Sequence, residues 1–344
     1  MGGYGMKKLT FLLLLILIAL TACSYDSANP ASSQDNDKKA AEQSAHSSAT
    51  EADTTKEEVP SSFSFTYKGQ KFEVVYYYKS FLEYIEKAEE QPENLNGTYI
   101  ETIINPIAEE RGVRLSKVWG FGTPTQLEIL EKYLKSLIDN QDTIHKVITD
   151  SLKKSANELQ PGADKYVYVF PANPEDNHVM ETMEGVAASA WSENFFAIQI
   201  APPYFEEKSL KQAVAHEYHH TVFFENNELG YSLLESVLIE GKADTFAKII
   251  YPDIQMPWSD FSSEENESKT WKVLKENMTS AMPSIQDDFF LGNTSKGLPQ
   301  WANYKIGNKI MESFIDENPN ITIGDWTDMP ANEILEKSKY AEKH

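Results

Sequence analysis

The chain has 344 residues, a formal net charge of −22 and a single cysteine. So large an acidic excess excludes nucleic acid as a partner and electrostatic adhesion to anionic lipid, because both would repel it. One cysteine excludes an internal disulfide.

Residues 6–22, MKKLTFLLLLILIALTA, place two lysines ahead of an apolar run of about a dozen residues, the order of a secretory signal and short of a full membrane span. The chain is therefore expected to be exported. The run ends in LTAC, Leu20 to Cys23, which resembles the lipobox of bacterial lipoproteins. That resemblance implies a diacylated Cys23 (palmitate-type chains) and lipid anchoring at the extracytoplasmic face of the cell membrane. Residues 1–22 are then the lipoprotein signal peptide. Residues 23–61 are acidic, Ser-rich and nearly free of large apolar side chains, so they cannot bury enough surface to offset their ordering entropy. They read as a disordered tether, holding the folded part ~30–35 Å from the membrane.

The remainder is long enough for a real core. Residues 62–164 read as an N-terminal hairpin and helical region, and residues 165–344 as the catalytic domain. FSFTYKGQKFEVVYYY, Phe63 to Tyr78, alternates apolar and polar residues on both sides of Lys68 and Gly69, which predicts a hairpin. Apolar residues then recur at helical spacing, at Leu127, Leu130, Leu134 and Leu137 and again at Ile144, Ile148 and Leu152, predicting two amphipathic helices. KYVYVFPA, from Lys165, and NFFAIQIAPPYF, from Asn194, read as strands. Ser209 with Gln212 makes a capping-box pattern that predicts a helix through Phe224, and a second helix is expected over Tyr231 to Ile250. Together they form a helical hairpin.

The first of these helices contains HEYHH, residues 216–220. His216 and His220 are four apart, so on a helix their rings lie one turn apart on one face and can grip one ion, the HExxH arrangement of a zinc site. Two neutral imidazoles leave zinc in need of a third protein ligand and an open position. The second helix offers Glu240, with Asp244 one turn farther on the same face, whereas Glu235 lies ~140° around the axis. Glu240 is the expected third ligand, and Asp244 is placed to fix the tautomer of a histidine ligand by accepting its outer N–H. His219 is left over as a packing or supporting residue.

HEYHH followed by EGKAD resembles the gluzincin metallopeptidases of the thermolysin type, whose pattern is HExxH and then ExxxD. The combination of the lipobox, HEYHH, LIEGKADTFA and PQWANYKIGNKI is similar to the YjaZ-like family of predicted zinc-dependent proteases, over roughly residues 165–320. The resemblance implies an α+β, predominantly helical, zincin-like domain with a small sheet. One Zn²⁺ per chain would lower the pKa of a bound water toward about 7. Glu217 would act on that water as general base. The oxyanion donor implied is Tyr304, with His178 as the other candidate. NFFAIQIAP, ahead of the HExxH helix, is where zincins place an edge strand that pairs with substrate backbone.

The expected activity is membrane-tethered, extracytoplasmic peptide-bond hydrolysis, with a peptide or protein substrate. Two other readings stay open at this point: a zinc-binding surface lipoprotein without turnover, and a zinc hydrolase of a non-peptide amide or ester.

Overall fold

A computed structural model describes residues 61–343, apart from residues 114, 116–119 and 161 and the side chains of 177–179 and 343. The expected signal peptide, Cys23 and the expected tether as far as residue 60 lie outside the described residues.

The hairpin forms as the alternation predicts. β1 (Ser62–Tyr67) and β2 (Gln70–Tyr76) pair antiparallel, and the two-residue loop needs both Lys68 (φ 48°) and Gly69 (φ 85°) in the left-handed region. That turn matches the right-handed twist of the flanking strands. Helices α1 (Tyr78–Glu90), α2 (Leu95–Tyr99), α3 (Asn105–Arg111), α4 (Leu127–Asp139) and α5 (Gln141–Glu158) follow. The two predicted amphipathic helices are α4 and α5, whose Leu130, Leu134, Ile144, Ile148 and Leu152 are buried in the main core. Each such side chain contributes about 1.5–3 kcal/mol of burial.

β3 (Lys165–Pro171) is followed by α6 (Asn177–Thr182), β4 (Val186–Ser192) and β5 (Phe195–Ile200). The sheet has the order β1-β2-β3-β5-β4, with β2/β3 and β3/β5 parallel and the two outer pairs antiparallel. β5 is buried along its whole length, as befits an interior strand whose run FFAIQI is apolar except for Gln199, and Gln199 Nε2 donates to the Gly120 carbonyl at 2.6 Å. The edge expected at NFFAIQIAP is therefore supplied by β4 instead, whose VAASAWS pattern is too mild to announce itself. The division drawn between residues 164 and 165 falls inside this sheet, because β2 and β3 pair directly from Phe72↔Lys165 to Tyr76↔Val169. The described residues fall in one compact unit.

The rest is helical: α7 (Glu207–Asn226), α8 (Leu233–Ile250), α9 (Glu264–Asn277), α10 (Pro283–Leu291), α11 (Ala302–Glu317), α12 (Ile323–Asp328), α13 (Ala331–Ser338) and α14 (Tyr340–Lys343). The fold is α+β and mostly helical, with one small mixed sheet. α7 is buried on all sides from Gln212 to Thr221, packed by α5, α8 and β4. It starts two residues before Ser209, because Ser209 spends its hydroxyl on the Glu184 carboxylate at 2.7 Å and Gln212 reaches α8. A capping box does form, but at α8: Ser232 and Glu235 cap one another and start that helix at Leu233. None of the helices among the described residues is long and apolar enough to cross a membrane.

Candidate metal centre

The five residues of HEYHH point in four directions, and each direction has a neighbour that explains it. Tyr218 turns to the sheet, its ring 6.5 Å from Phe72 on β2 and 6.4 Å from Phe246 on α8, and its hydroxyl donates to Gln70 Oε1 at 3.2 Å. His219 turns to α12, stacked on Trp326 at 5.3 Å with its Nε2 3.2 Å from the Thr327 hydroxyl. Burial, then His220 and Lys242, hold it well below the usual histidine range, so it is a neutral packing residue. Glu217 turns to β4. His216 and His220 turn to α8.

There the two imidazoles meet Glu240. His216 Nε2 lies 2.9 Å from His220 Nε2 and 3.1 Å from Glu240 Oε2, and the third side of the triangle, His220 Nε2 to Glu240 Oε2, is 3.5 Å. Among the described residues this is the group of His, Cys, Asp or Glu that converges closely enough to hold a metal ion. Asp244 stands one turn below. Its Oδ1 accepts from His216 Nδ1 at 2.8 Å and from Gln212 Nε2 at 2.9 Å, while Oδ2 accepts from Asn308 Nδ2 at 3.2 Å.

These hydrogen bonds decide the chemistry of the donor set. With Nδ1–H committed to Asp244, neutral His216 can present only a lone pair at Nε2, and it faces a carboxylate oxygen and a second imidazole nitrogen. Lone pairs brought this close are relieved by a shared positive centre, a proton or a metal ion. Burial works against a proton on His216, yet the Asp244 and Glu240 carboxylates push its pKa well above the ordinary value. Burial likewise opposes charge on Glu240, but His220 and His216 hold it well below the carboxylate range. Two histidines and one carboxylate at these separations fit a zinc ion with a position left over.

Glu217 is held apart from that triangle. Its carboxylate accepts the Ala190 backbone N–H, where β4 shifts register against β5. Oε2 is buried and finds no partner among the described residues. Burial lifts its pKa above the ordinary value, with His220 and His216 pulling the other way. A buried, unpartnered carboxylate oxygen is costly and is kept where it has work to do.

The third wall is α11. Gly241 and Gly307 touch: a Cβ on Gly307 would lie 2.4 Å from the Val237 carbonyl, and one on Gly241 would lie 2.5 Å from the Gly307 carbonyl carbon. This close approach brings Tyr304 and Asn308 over α8. The Tyr304 ring lies 6.1 Å from His216, and its hydroxyl faces the Glu240 carboxylate. Burial, with Glu240, Asp244 and Glu217 nearby, pushes that hydroxyl well above the usual tyrosine range, so it remains a donor. Trp301, at the N-cap of α11 with a left-handed φ of 60°, packs against Trp258 and Tyr304 and fixes that first turn.

The family model described as Predicted Zn-dependent protease (DUF2268) matches residues 144–336, from α5 to α13 and including every residue of this centre. The chain belongs to that family. It is also 22% identical over 198 residues to the uncharacterized protein YjfC of Bacillus subtilis (strain 168), a stretch covering 54% of this chain and 63% of the relative. The chain thus spans less than two thirds of that relative's length. No solved structure gives a significant match. The family match extends beyond the region 165–320 that carries the sequence resemblance and takes in α5, which packs on the HExxH helix.

Residues missed in sequence lie at the same helical interval as those found. Gln212, His216 and His220 form one stripe, Glu240 and Asp244 another, and Tyr304 and Asn308 a third. Gln212 and Asn308 could have been found by extending each stripe by one turn. The Ala190 N–H could not, since a backbone donor leaves no trace in side-chain pattern. His178 lies in α6, and its side chain is outside the description.

Proposed function

We propose that this chain is a zincin-like, gluzincin-type metallopeptidase, carried on the extracytoplasmic face of the cell membrane by acyl chains on Cys23. His216, His220 and Glu240 are its ligand set, and Asp244 orients His216. A zinc ion held there supplies a Lewis acid that polarises a carbonyl and acidifies water. Glu217 Oε2 takes a proton from the attacking water and returns it to the departing amine nitrogen. Tyr304 Oη donates to the oxygen that becomes negative as the carbonyl is attacked. β4, the outer strand of the sheet beside α7, offers main-chain groups to an extended peptide.

The observation that carries this reading is the unpartnered Glu217 Oε2 beside the triangle of ligand atoms. Holding zinc needs no such group, and hydrolysis does. The test is zinc content and hydrolysis of casein and a peptide library by one preparation of the full chain. Chelation should abolish hydrolysis and zinc should restore it; a zinc-loaded protein inert on every peptide sinks the reading. The anchor is tested separately by Cys23→Ala, which should leave an unacylated chain that no longer partitions with membranes. Equal incorporation of labelled fatty acid into both forms would remove it.

A further inference from the structure

Glu240 is the opening of the centre. Its side chain is 22% exposed, against 7% for His216 and 9% for His220, so of the three ligands it is the one most open to solvent. On that side lies a groove of about 1120 Å³ with Glu240 in its wall, larger than a small-molecule pocket usually is. Its floor is apolar, from Phe223 at the end of α7, Leu234, Leu238 and Ile239 of α8, and Met278. At its mouth stand Leu229 and Tyr231, with Met282 between the lining residues Ala281 and Pro283. These three are 55%, 47% and 61% exposed, half of the six large exposed hydrophobic residues among those described. Such a concentration marks a binding surface.

The charge of the groove is one-sided. Six carboxylates line it, Glu228, Glu235, Glu240, Asp328, Glu336 and Glu342, against two lysines. Both lysines are already engaged: Lys242 Nζ donates to the Thr327 and Met329 carbonyls at 2.9 and 2.6 Å, and Lys339 Nζ to Glu317 Oε2 at 2.6 Å. An acidic side chain entering here would meet a threefold excess of carboxylates over lysines, whereas a lysine or arginine would find partners among them while its apolar neighbours packed on the exposed apolar mouth.

We infer that this groove selects the substrate, and that the substrate is a cationic polypeptide segment in which large apolar residues alternate with lysine or arginine. The inference rests on the peptidase reading of the adjoining centre. The peptide lies with its apolar side chains on Leu229, Tyr231 and Met282, the exposed apolar residues at the mouth, and its basic side chains against Glu228 and Glu336. Its backbone continues past Glu240 to the ligand triangle.

The test is fluorescence anisotropy of three labelled peptides of equal length, built from Leu and Lys, Leu and Glu, or Ser and Lys. The protein is the full-length chain carrying Glu217→Gln, so that bound peptide survives the measurement; hydrolysis of the same peptides is followed with wild type. The Leu/Lys peptide should bind about tenfold or more tightly than either of the others, and raised salt should weaken it. A Leu229→Ser, Met282→Ser double variant should lose that binding severalfold with an unchanged melting temperature, since both side chains are exposed. Glu228→Lys with Glu336→Lys should shift preference toward the Leu/Glu peptide. Equal binding of the Leu/Lys and Leu/Glu peptides, no binding of any, or unaltered binding by the rim variants would overturn the inference. Hydrolysis of all three peptides at equal rates would sink it while leaving the peptidase reading intact. Selective binding without hydrolysis by wild type would sink the peptidase reading and leave the groove assignment standing.

Discussion

His216 donates from Nδ1 to Oδ1 of Asp244 at 2.8 Å, and the same oxygen accepts from Gln212 at 2.9 Å. One carboxylate on α8 therefore fixes the ring orientation of a ligand on α7 and turns its Nε2 toward Glu240 and His220. Asp244→Asn keeps the shape and removes the charge. Zinc affinity should fall about 10- to 100-fold, the usual effect of losing such a partner, with the fold retained. A competition titration against a chromophoric chelator measures it, and unaltered affinity would show that Asp244 does not support the metal.

The three proposed ligands and the odd histidine separate by metal content. His216→Ala, His220→Ala and Glu240→Ala should each empty the site on purification. His219→Ala should keep zinc and lose about 2–4 kcal/mol of stability, because it leaves a cavity against Trp326 and strips Thr327 of a partner. Zinc stoichiometry and thermal melting on the same samples check both, and a zinc-free His219→Ala would reverse the assignment.

Glu217→Gln should separate binding from turnover. The amide can still accept the Ala190 N–H through its oxygen but cannot take a proton. Zinc should remain at the wild-type level while peptide hydrolysis falls by about 10²–10⁴. A mutant that hydrolyses peptide at the wild-type rate would remove Glu217 from the mechanism.

Tyr304→Phe keeps the ring that packs on Trp258 and Trp301 and removes only the hydroxyl facing Glu240. The expected outcome is a kcat lower by about 10²–10³, with KM and zinc content little changed. A rate within about twofold of wild type, roughly 0.4 kcal/mol of barrier, would make Tyr304 a packing residue.

Gly307→Ala should act at a distance from the chemistry. Its new methyl would stand 2.4 Å from the Val237 carbonyl, so α8 and α11 must part. We expect a loss of about 1–3 kcal/mol, a fall in melting temperature of roughly 2–8 °C, and weaker zinc binding as Asn308 leaves Asp244. Differential scanning calorimetry with and without added zinc reads both effects.

The local interactions of the site were legible in the sequence because helical periodicity is a short-range property. HEYHH and EGKAD each set two side chains one turn apart on a helix face, and a helical hairpin leaves few ways for those faces to meet. The β1–β2 turn at Lys68 and Gly69 and the apolar stripes of α4 and α5 were readable for the same reason. What only the tertiary structure decided depends on groups far apart in the chain. Gly241 and Gly307 carry no signal singly, and their contact sets the height of Tyr304 and Asn308 over the ligands. Ser209 and Gln212 matched a cap, but Glu184 and Asp244 offered their side chains stronger, charged partners, so the cap formed instead at Ser232 and Glu235. β4 took the sheet edge from β5 because the more apolar strand gains more by being enclosed, and that exchange set the Ala190 N–H against Glu217.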